Sequence, residues 1–146
     1  MTYKYQFYLD NISDCPPENY SALNKPAFRW LHEDIDNANN FTPVLLLSPK
    51  RALNMNHINR CKGYGLSLFD TSNGAIDRYR ELIDSKPNLA DTLGNSLGEI
   101  TLTFHDGIGS EPETNNNGHF TFHEYEKTDL AKKIIKFAPI TKFLAL

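Results

Sequence analysis

The alternation of hydrophobic and polar positions predicts two strands in the second half of the chain. Apolar residues occupy every second position of 99–105, and the same alternation returns in 119–125. This period is typical of strands that bury one face. The segment between them, 106–118, is rich in Gly, Asn and Glu and is predicted to be a loop. We expect the two strands to pair antiparallel.

Other segments of the chain suit strands or short extended pieces. Aromatic residues alternate with polar ones near the N-terminus, and compact apolar runs follow further along. Pro43 and Pro49 bound one of these runs and limit it to a short buried segment, strand or extended. The predicted strands are 4–10, 27–31 and 64–69, with the short segment 44–47 and a last strand at 140–146.

A helix is predicted over 74–84. Apolar residues recur there at helical spacing, and charged residues take the other side. The preceding turn, 70–73, offers several N-cap residues, and Lys86-Pro87 ends the helix. We expect the helix to pack on the sheet through Ile76, Tyr79 and Ile83. A second short helix should open after Thr128, with an apolar face made of Leu130, Ala131, Ile134 and Ile135.

These elements together predict an α+β fold. The segments of period 2 outnumber those of helical period, so we expect a mainly antiparallel sheet with two or three short helices packed on it. At 146 residues, the chain has the usual length of one domain, and we assign residues 1–146 to a single globular domain.

Charge and hydropathy narrow the classes of partner. Eighteen acidic against 15 basic residues give a net charge of −3, whereas nucleic-acid-binding proteins usually carry a basic excess. The longest strongly apolar run, Val44–Leu47, is too short to span a bilayer. We therefore predict a soluble protein with no nucleic acid and no membrane among its partners. The sequence leaves the oligomeric state open.

The cysteines and histidines give no recognisable metal motif. Cys15 and Cys61 are 46 positions apart, and we expect both to be free thiols in a cytoplasmic protein. His119 and His123 are four residues apart on one strand, which is too far for the two side chains to share a metal ion. Cys61 could act as a nucleophile with one of five histidines, but a buried structural cysteine is the more common role. We predict no metal and no tightly bound cofactor.

The stretch from Gly63 to Ala75, closing with Tyr79, resembles the strand-to-helix segment of the ADP-ribosyltransferase superfamily. There, a glycine-led strand carries a Ser or Tyr, and a small polar turn opens a helix. Arg29 matches the arginine of that family's first strand, and Ser67 the serine of its middle strand. Glu124-Tyr125-Glu126 has the family's Glu-x-Glu form.

The resemblance implies NAD as a substrate. It assigns NAD contacts to Arg29, Gly65, Ser67 and Phe69, and it makes Glu126 the catalytic residue with Glu124 beside it. A guanidinium suits a pyrophosphate, and a carboxylate stabilises the cationic sugar that forms as nicotinamide leaves. The implied function is that of an ADP-ribosyltransferase or an NAD glycohydrolase, with a nucleotide as ligand.

A non-enzymatic domain is the alternative. Nine Phe, seven Tyr and one Trp supply aromatic side chains of the kind that anchor protein interfaces. An inhibitor, immunity or adaptor protein would use them, together with the polar loop 106–118, to bind a protein partner. An enzyme requires that Arg29, Ser67 and Glu124 or Glu126 converge on one cleft, whereas a binding domain requires only an exposed apolar patch.

Overall fold

One antiparallel sheet of seven strands organises the chain. The computed structural model describes residues 1–144, and the side chains of residues 1–142. The spatial order of the strands is β1-β5-β6-β3-β2-β4-β7, and every neighbouring pair is antiparallel. The strands are β1 Ser21–Ala22, β2 Lys25–Leu31, β3 Leu66–Phe69, β4 Ser96–Leu102, β5 Gly107–Gly109, β6 His119–Glu124 and β7 Ile134–Pro139. The predicted α+β class is confirmed.

Short helices fill most of the connections. The six α-helices in residues 1–144 are α1 Gln6–Leu9, α2 Val44–Leu47, α3 His57–Gly63, α4 Ser72–Ile83, α5 Leu89–Leu93 and α6 Thr141–Leu144. The 3-10 helices lie at Ala38–Phe41, Pro49–Asn54, Thr114–Asn116 and Leu130–Lys133. Among residues 1–144, no helix has both the length and the apolar character needed to cross a membrane.

The sheet buries an apolar cluster on each face, because successive side chains of a strand point to opposite faces. The first face carries the strand residues Ala27, Leu66, Leu68, Ile100, Leu102, Phe120 and Phe122, packed with Leu130. The second face carries Phe69 and Leu97, which pack with Ala75, Ile76 and Tyr79 of α4 and with Leu89 and Ile140. We call these the first and second faces below.

Helix α4 confirms the strongest helical pattern of the sequence. The Thr71 hydroxyl accepts a hydrogen bond from the Gly74 N–H at 3.0 Å and so caps the helix. Ile76 and Tyr79 are buried on the second face, as predicted, but Ile83 is 40% exposed. Ile83 is the last residue of the helix, and Leu82 packs against the core in its place.

The predicted pairing of 99–105 with 119–125 is wrong. Strand β4 lies between β2 and β7, while β6 lies between β3 and β5. Residues 107–109, expected to be loop, form β5 and pair with β6. Alternation reveals which face of a strand is buried but not which strand lies next to it.

Three other predicted strands are short helices. Residues 6–9, 44–47 and 141–144 are α1, α2 and α6, although all three were expected to be extended or strand. Each is a single turn of about four residues, and periodicity cannot separate helix from strand over so short a run. Residues 145–146 of the predicted last strand lie outside the described residues. The predicted helix after Thr128 is a 3-10 turn at Leu130–Lys133 that leads directly into β7.

Candidate functional site

Arg29 lies on the first face and is held by backbone carbonyl groups. Its Nε donates to the Asn40 carbonyl oxygen at 2.6 Å, and one terminal nitrogen donates to the Ser67 carbonyl oxygen at 2.9 Å. Burial lowers the pKa of Arg29 to about 10, and the charge of Glu124 opposes that shift. The side chain therefore stays cationic at neutral pH, with its donors directed at the protein.

Glu124 lies at the end of β6 on the same face as Arg29. Its Oε2 accepts a hydrogen bond from the Lys4 ammonium at 2.8 Å. Its Oε1 is buried and has no hydrogen-bond partner among the described residues. Burial raises the pKa of the Glu124 carboxyl, while Lys4 and Arg29 act in the opposite direction. The Lys4 ammonium also donates to the Thr128 carbonyl oxygen.

The side chain of Ser67 lies on the second face, away from Arg29. The register pairs Phe28 with Phe69, so Ser67, two residues before Phe69, shares their face. The Ser67 hydroxyl is 3.0 Å from Nε2 of His119, and Nδ1 of His119 is 3.7 Å from a Glu113 carboxylate oxygen. Burial lowers the pKa of His119, and Glu113 opposes that shift. The three side chains thus stand in the order hydroxyl, imidazole, carboxylate.

Gly65 and Phe69 are packing residues in this structure. A Cβ on Gly65 would lie 2.7 Å from Cγ2 of Thr121 and 3.1 Å from Cε1 of His123, so glycine permits the close approach of β6. Phe69 is buried, and its ring lies 5.1 Å from the Trp30 ring and 5.7 Å from the His119 ring.

Glu126 is exposed and lies two residues beyond the end of β6. Its backbone N–H donates to the Thr2 carbonyl oxygen at 2.8 Å. The residues assigned from the sequence therefore separate into three places: Arg29 and Glu124 on the first face, Ser67 on the second, and Glu126 at the surface. Two cavities open on the described part of the chain, one beside Cys61 and one beside Phe28. None of these four residues lines either cavity.

Cys15 and Cys61 form a disulfide bond, so the prediction of two free thiols is wrong. Cys61 belongs to α3 and is buried, whereas Cys15 is half-buried in the segment between α1 and β1. The two residues are far apart in sequence, and spacing alone gave no indication that the fold brings α3 against the 11–19 segment.

His123 of β6 lies against this disulfide. Its Nε2 is 3.8 Å from the Cys61 sulfur, and the ring is 2% exposed. Burial lowers the pKa of His123 to about 4, which leaves the imidazole neutral at neutral pH. A cavity of about 330 Å³ opens beside Cys61, with Asp14, Tyr20 and His57 in its lining.

A second cavity, of about 480 Å³, lies on the other half of the sheet. Phe28, Leu97 and Phe137 supply its apolar lining, and Glu99 and Lys136 lie opposite each other on β4 and β7. It contains none of the residues assigned from the sequence.

A basic surface covers the helices between β2 and β3. Residues 37–69 contain four of the 15 basic residues and none of the 18 acidic ones. We define residues 44–64 as the basic segment. All four cations are exposed, and none forms an ion pair with the rest of the described chain: they are Lys50, Arg51, Arg60 and Lys62. A charge count along the sequence could have found this asymmetry.

Exposed apolar side chains accompany these cations. Leu47, Leu53 and Ile58 are 44%, 83% and 54% exposed. Tyr64, the last residue of the basic segment, belongs to an aromatic cluster with Phe7 and Tyr8: the Tyr8 ring stacks on Tyr64 at 4.9 Å and contacts Phe7 edge-on at 5.4 Å. Phe7 is 76% exposed. The sequence pattern did not reveal this cluster, because it predicted a strand over 4–10, where the structure has helix α1.

Comparisons with protein-family models, with curated proteins and with solved structures find no match to this chain. The function of the chain is therefore inferred from its own residues.

Proposed function

We propose that this chain is a non-enzymatic domain that binds a protein partner with an acidic and apolar surface. One observation carries the proposal: the basic segment presents four exposed, unpaired cations together with three exposed aliphatic side chains in the described chain. Scattered exposed apolar residues are ordinary, but here they lie on one stretch of short helices next to an aromatic cluster.

The chemistry of this surface suits a partner that is acidic and apolar. Cations that have no intramolecular partner attract acidic groups and accelerate encounter, while apolar and aromatic side chains supply most of the binding energy once water is excluded. Phe7 fits the second role because its ring is mostly exposed and is supported from one side by Tyr8. The overall charge of the chain is negative, so the attraction is local to this segment.

Charge reversal tests the proposal. The double variant Arg60→Glu/Lys62→Glu and the single variant Phe7→Ala alter the surface, and Lys127→Glu/Lys142→Glu is the control with the same change of charge at exposed positions elsewhere. Proteins retained from a lysate of the producing organism are compared by quantitative mass spectrometry. A protein retained by wild type and control, but not by either surface variant, is then purified and mixed with the chain.

The purified pair decides the outcome. We expect a complex of fixed stoichiometry, at least tenfold weaker with either surface variant, and weaker at higher salt because exposed charges are screened. A complex that binds both surface variants as well as wild type contradicts the proposal, as does the absence of any protein that distinguishes wild type from them. Sedimentation of the chain alone separates this outcome from self-association.

NAD binding is the second candidate function. Its support is that Arg29 and Glu124 lie on the same face of the sheet and interact through their charges. The family resemblance implies that Arg29 holds phosphate and that Glu126 acts on the developing cation. The two side chains lie in separate places, so this proposal requires a rearrangement that brings them together. The donors of Arg29 already bind two carbonyl oxygens, so a nucleotide would have to compete with them.

Calorimetry with NAD, followed by an assay of nicotinamide release, tests the second candidate. Glu126→Gln should abolish turnover and spare binding, because the charge acts on the transition state. Lys127→Gln, at the next exposed position, is the control. No heat at millimolar NAD and no nicotinamide above the rate without protein would rule out an NAD function.

The cellular location stays a prediction within this proposal. A disulfide between Cys15 and Cys61 is typical of an oxidising compartment, whereas the sequence predicts a cytoplasmic protein. Rapid alkylation of thiols in acid-quenched cells distinguishes the two. Unmodified, disulfide-bonded protein would indicate an oxidising compartment, and two alkylated cysteines a reducing one.

A further inference from the structure

Three side chains that can bind metal ions meet beside the cavity at Cys61. The sulfur atoms of Cys15 and Cys61 and a ring nitrogen of His123 all lie within 4.8 Å of one another. They come from three separate parts of the fold: the segment after α1, helix α3 and strand β6. Cys61 and His123 are buried, so two of the three are already fixed by packing.

The distance between the two fixed ligands suits a metal ion. The Cys61 sulfur and Nε2 of His123 are 3.8 Å apart. Two ligands of a tetrahedral zinc ion, at bond lengths of about 2.3 Å for sulfur and about 2.0 Å for nitrogen, lie roughly 3.5 Å apart. Gly65 permits this position of His123, because a Cβ at residue 65 would lie 3.1 Å from Cε1 of the imidazole.

The third and fourth ligand positions lie on the open side. Cys15 is half-buried, in a segment without regular structure, so its sulfur can move away from Cys61 once the bond between them is broken. The cavity of about 330 Å³ that Cys61 lines has space for a water molecule, and Asp14 and His57 face it. Zinc sites with three protein ligands take water as the fourth ligand.

We propose that reduction of the Cys15–Cys61 disulfide creates a zinc site formed by Cys15, Cys61 and His123. A thiolate of a dithiol reductant attacks the Cys15 sulfur, the S–S bond breaks, and Cys61 leaves as a thiolate. The second thiol of the reductant then displaces Cys15, so the reductant becomes a disulfide and the protein gains two electrons and two protons. Zn²⁺ binds the two thiolates and the imidazole and releases the two thiol protons to solvent.

None of the exposed cations or aromatic residues of the proposed partner surface is a ligand of this site, although Cys61 lies between Arg60 and Lys62 in the basic segment. The proposed zinc site gives the chain one of two cross-links at the same place, depending on the redox state of the cysteines. The oxidised chain is held by the disulfide, and the reduced chain is held by the metal, so the 11–19 segment stays attached to α3 and β6 in both states.

Cobalt substitution tests the site. Untagged protein is reduced with a phosphine, freed of excess reductant without oxygen, and titrated with Co²⁺. We expect one equivalent to give sulfur-to-cobalt charge transfer and the strong visible bands of tetrahedral Co²⁺, and Zn²⁺ to remove them. The oxidised protein should give neither. His123→Gln should weaken Co²⁺ binding at least tenfold, and His119→Gln, on the same strand, should not.

Two outcomes overturn the proposal: reduced wild type binds Co²⁺ no better than oxidised protein, or His123→Gln binds it as tightly as wild type. Circular dichroism accompanies each titration. If reduction unfolds the chain, Zn²⁺ must restore the native spectrum in wild type but not in Cys15→Ser, and failure to do so also overturns the proposal.

Discussion

The sheet with α4 and the basic segment use similar side chains in opposite ways. In the sheet, large apolar residues are fully buried, and Lys25 of β2 pairs with a carboxylate, as do Lys4 and Lys133 beside the sheet. In the basic segment, aliphatic residues are exposed and the cations have no carboxylate partner in the described chain. The sheet region thus removes apolar side chains from water and neutralises its lysines, whereas the basic segment leaves both kinds of side chain exposed to solvent, as the proposed partner surface requires.

The largest expected effect is the difference in unfolding free energy between truncating a buried side chain of the sheet and truncating an exposed one of the basic segment. Phe122 of β6 is fully buried in the cluster on the first face, so Phe122→Ala should lower the free energy of unfolding by about 3–5 kcal/mol. Leu53→Ala in the basic segment should change it by less than about 0.5 kcal/mol, because Leu53 is 83% exposed. Urea melts measure both. A large loss for Leu53→Ala would contradict the division.

The disulfide attaches the 11–19 segment to the basic segment through Cys61, and its removal gives the next effect. It closes a segment with a sequence separation of 46 residues. The double variant Cys15→Ala/Cys61→Ala should lose about 2–4 kcal/mol, since the unfolded chain regains the entropy of the open loop. Thermal melts compare it with wild type in the oxidised state. If wild type and variant have the same melting temperature, the disulfide contributes nothing to stability.

The cap of α4 is a smaller test of the sheet region. Thr71→Ala removes the hydroxyl that accepts the Gly74 N–H and should cost about 1 kcal/mol. Thr71→Ser keeps the acceptor and should stay close to wild type. Urea melts of the two variants measure the difference, and equal losses would show that the hydroxyl is not the cause.

The smallest effect concerns pH. His119 is faced by Ser67, Glu113, Lys62 and Arg78, and burial holds its pKa below the usual 6.5. A histidine that binds protons less well when folded contributes stability above its unfolded pKa, and this contribution is lost as pH falls from 6.5 towards the folded pKa.

Melts at stepped pH measure that loss. His119→Gln should reduce the slope of unfolding free energy against pH over this interval, while His32→Gln, at a half-buried position directly after β2, serves as the control. An unchanged slope in His119→Gln would show that His119 does not carry the effect.

Part of the fold follows from local sequence. The sequence predicts strands over 27–31 and 119–125 and a helix over 74–84, where the structure has β2 Lys25–Leu31, β6 His119–Glu124 and α4 Ser72–Ile83. A periodic apolar face predicts the 119–125 strand and the helix, and Thr71 is the one cap used among the candidates in 70–73. The α+β class follows from the same pattern. Four-residue helices such as α1 and α2 could not be predicted, because one turn contains too few positions to define a period.

Which of these elements meet depends on the tertiary structure. The class of fold, the buried faces of the main strands and the charge asymmetry of residues 37–69 follow from the sequence alone. The sequence does not reveal that the Ser67 and Arg29 side chains lie on opposite faces of the sheet. It also does not reveal that Cys15 is bonded to Cys61 or that His123 lies against their disulfide. Those relations depend on strand order and on contacts between distant segments, and these arise from packing the whole core at once rather than from any local pattern.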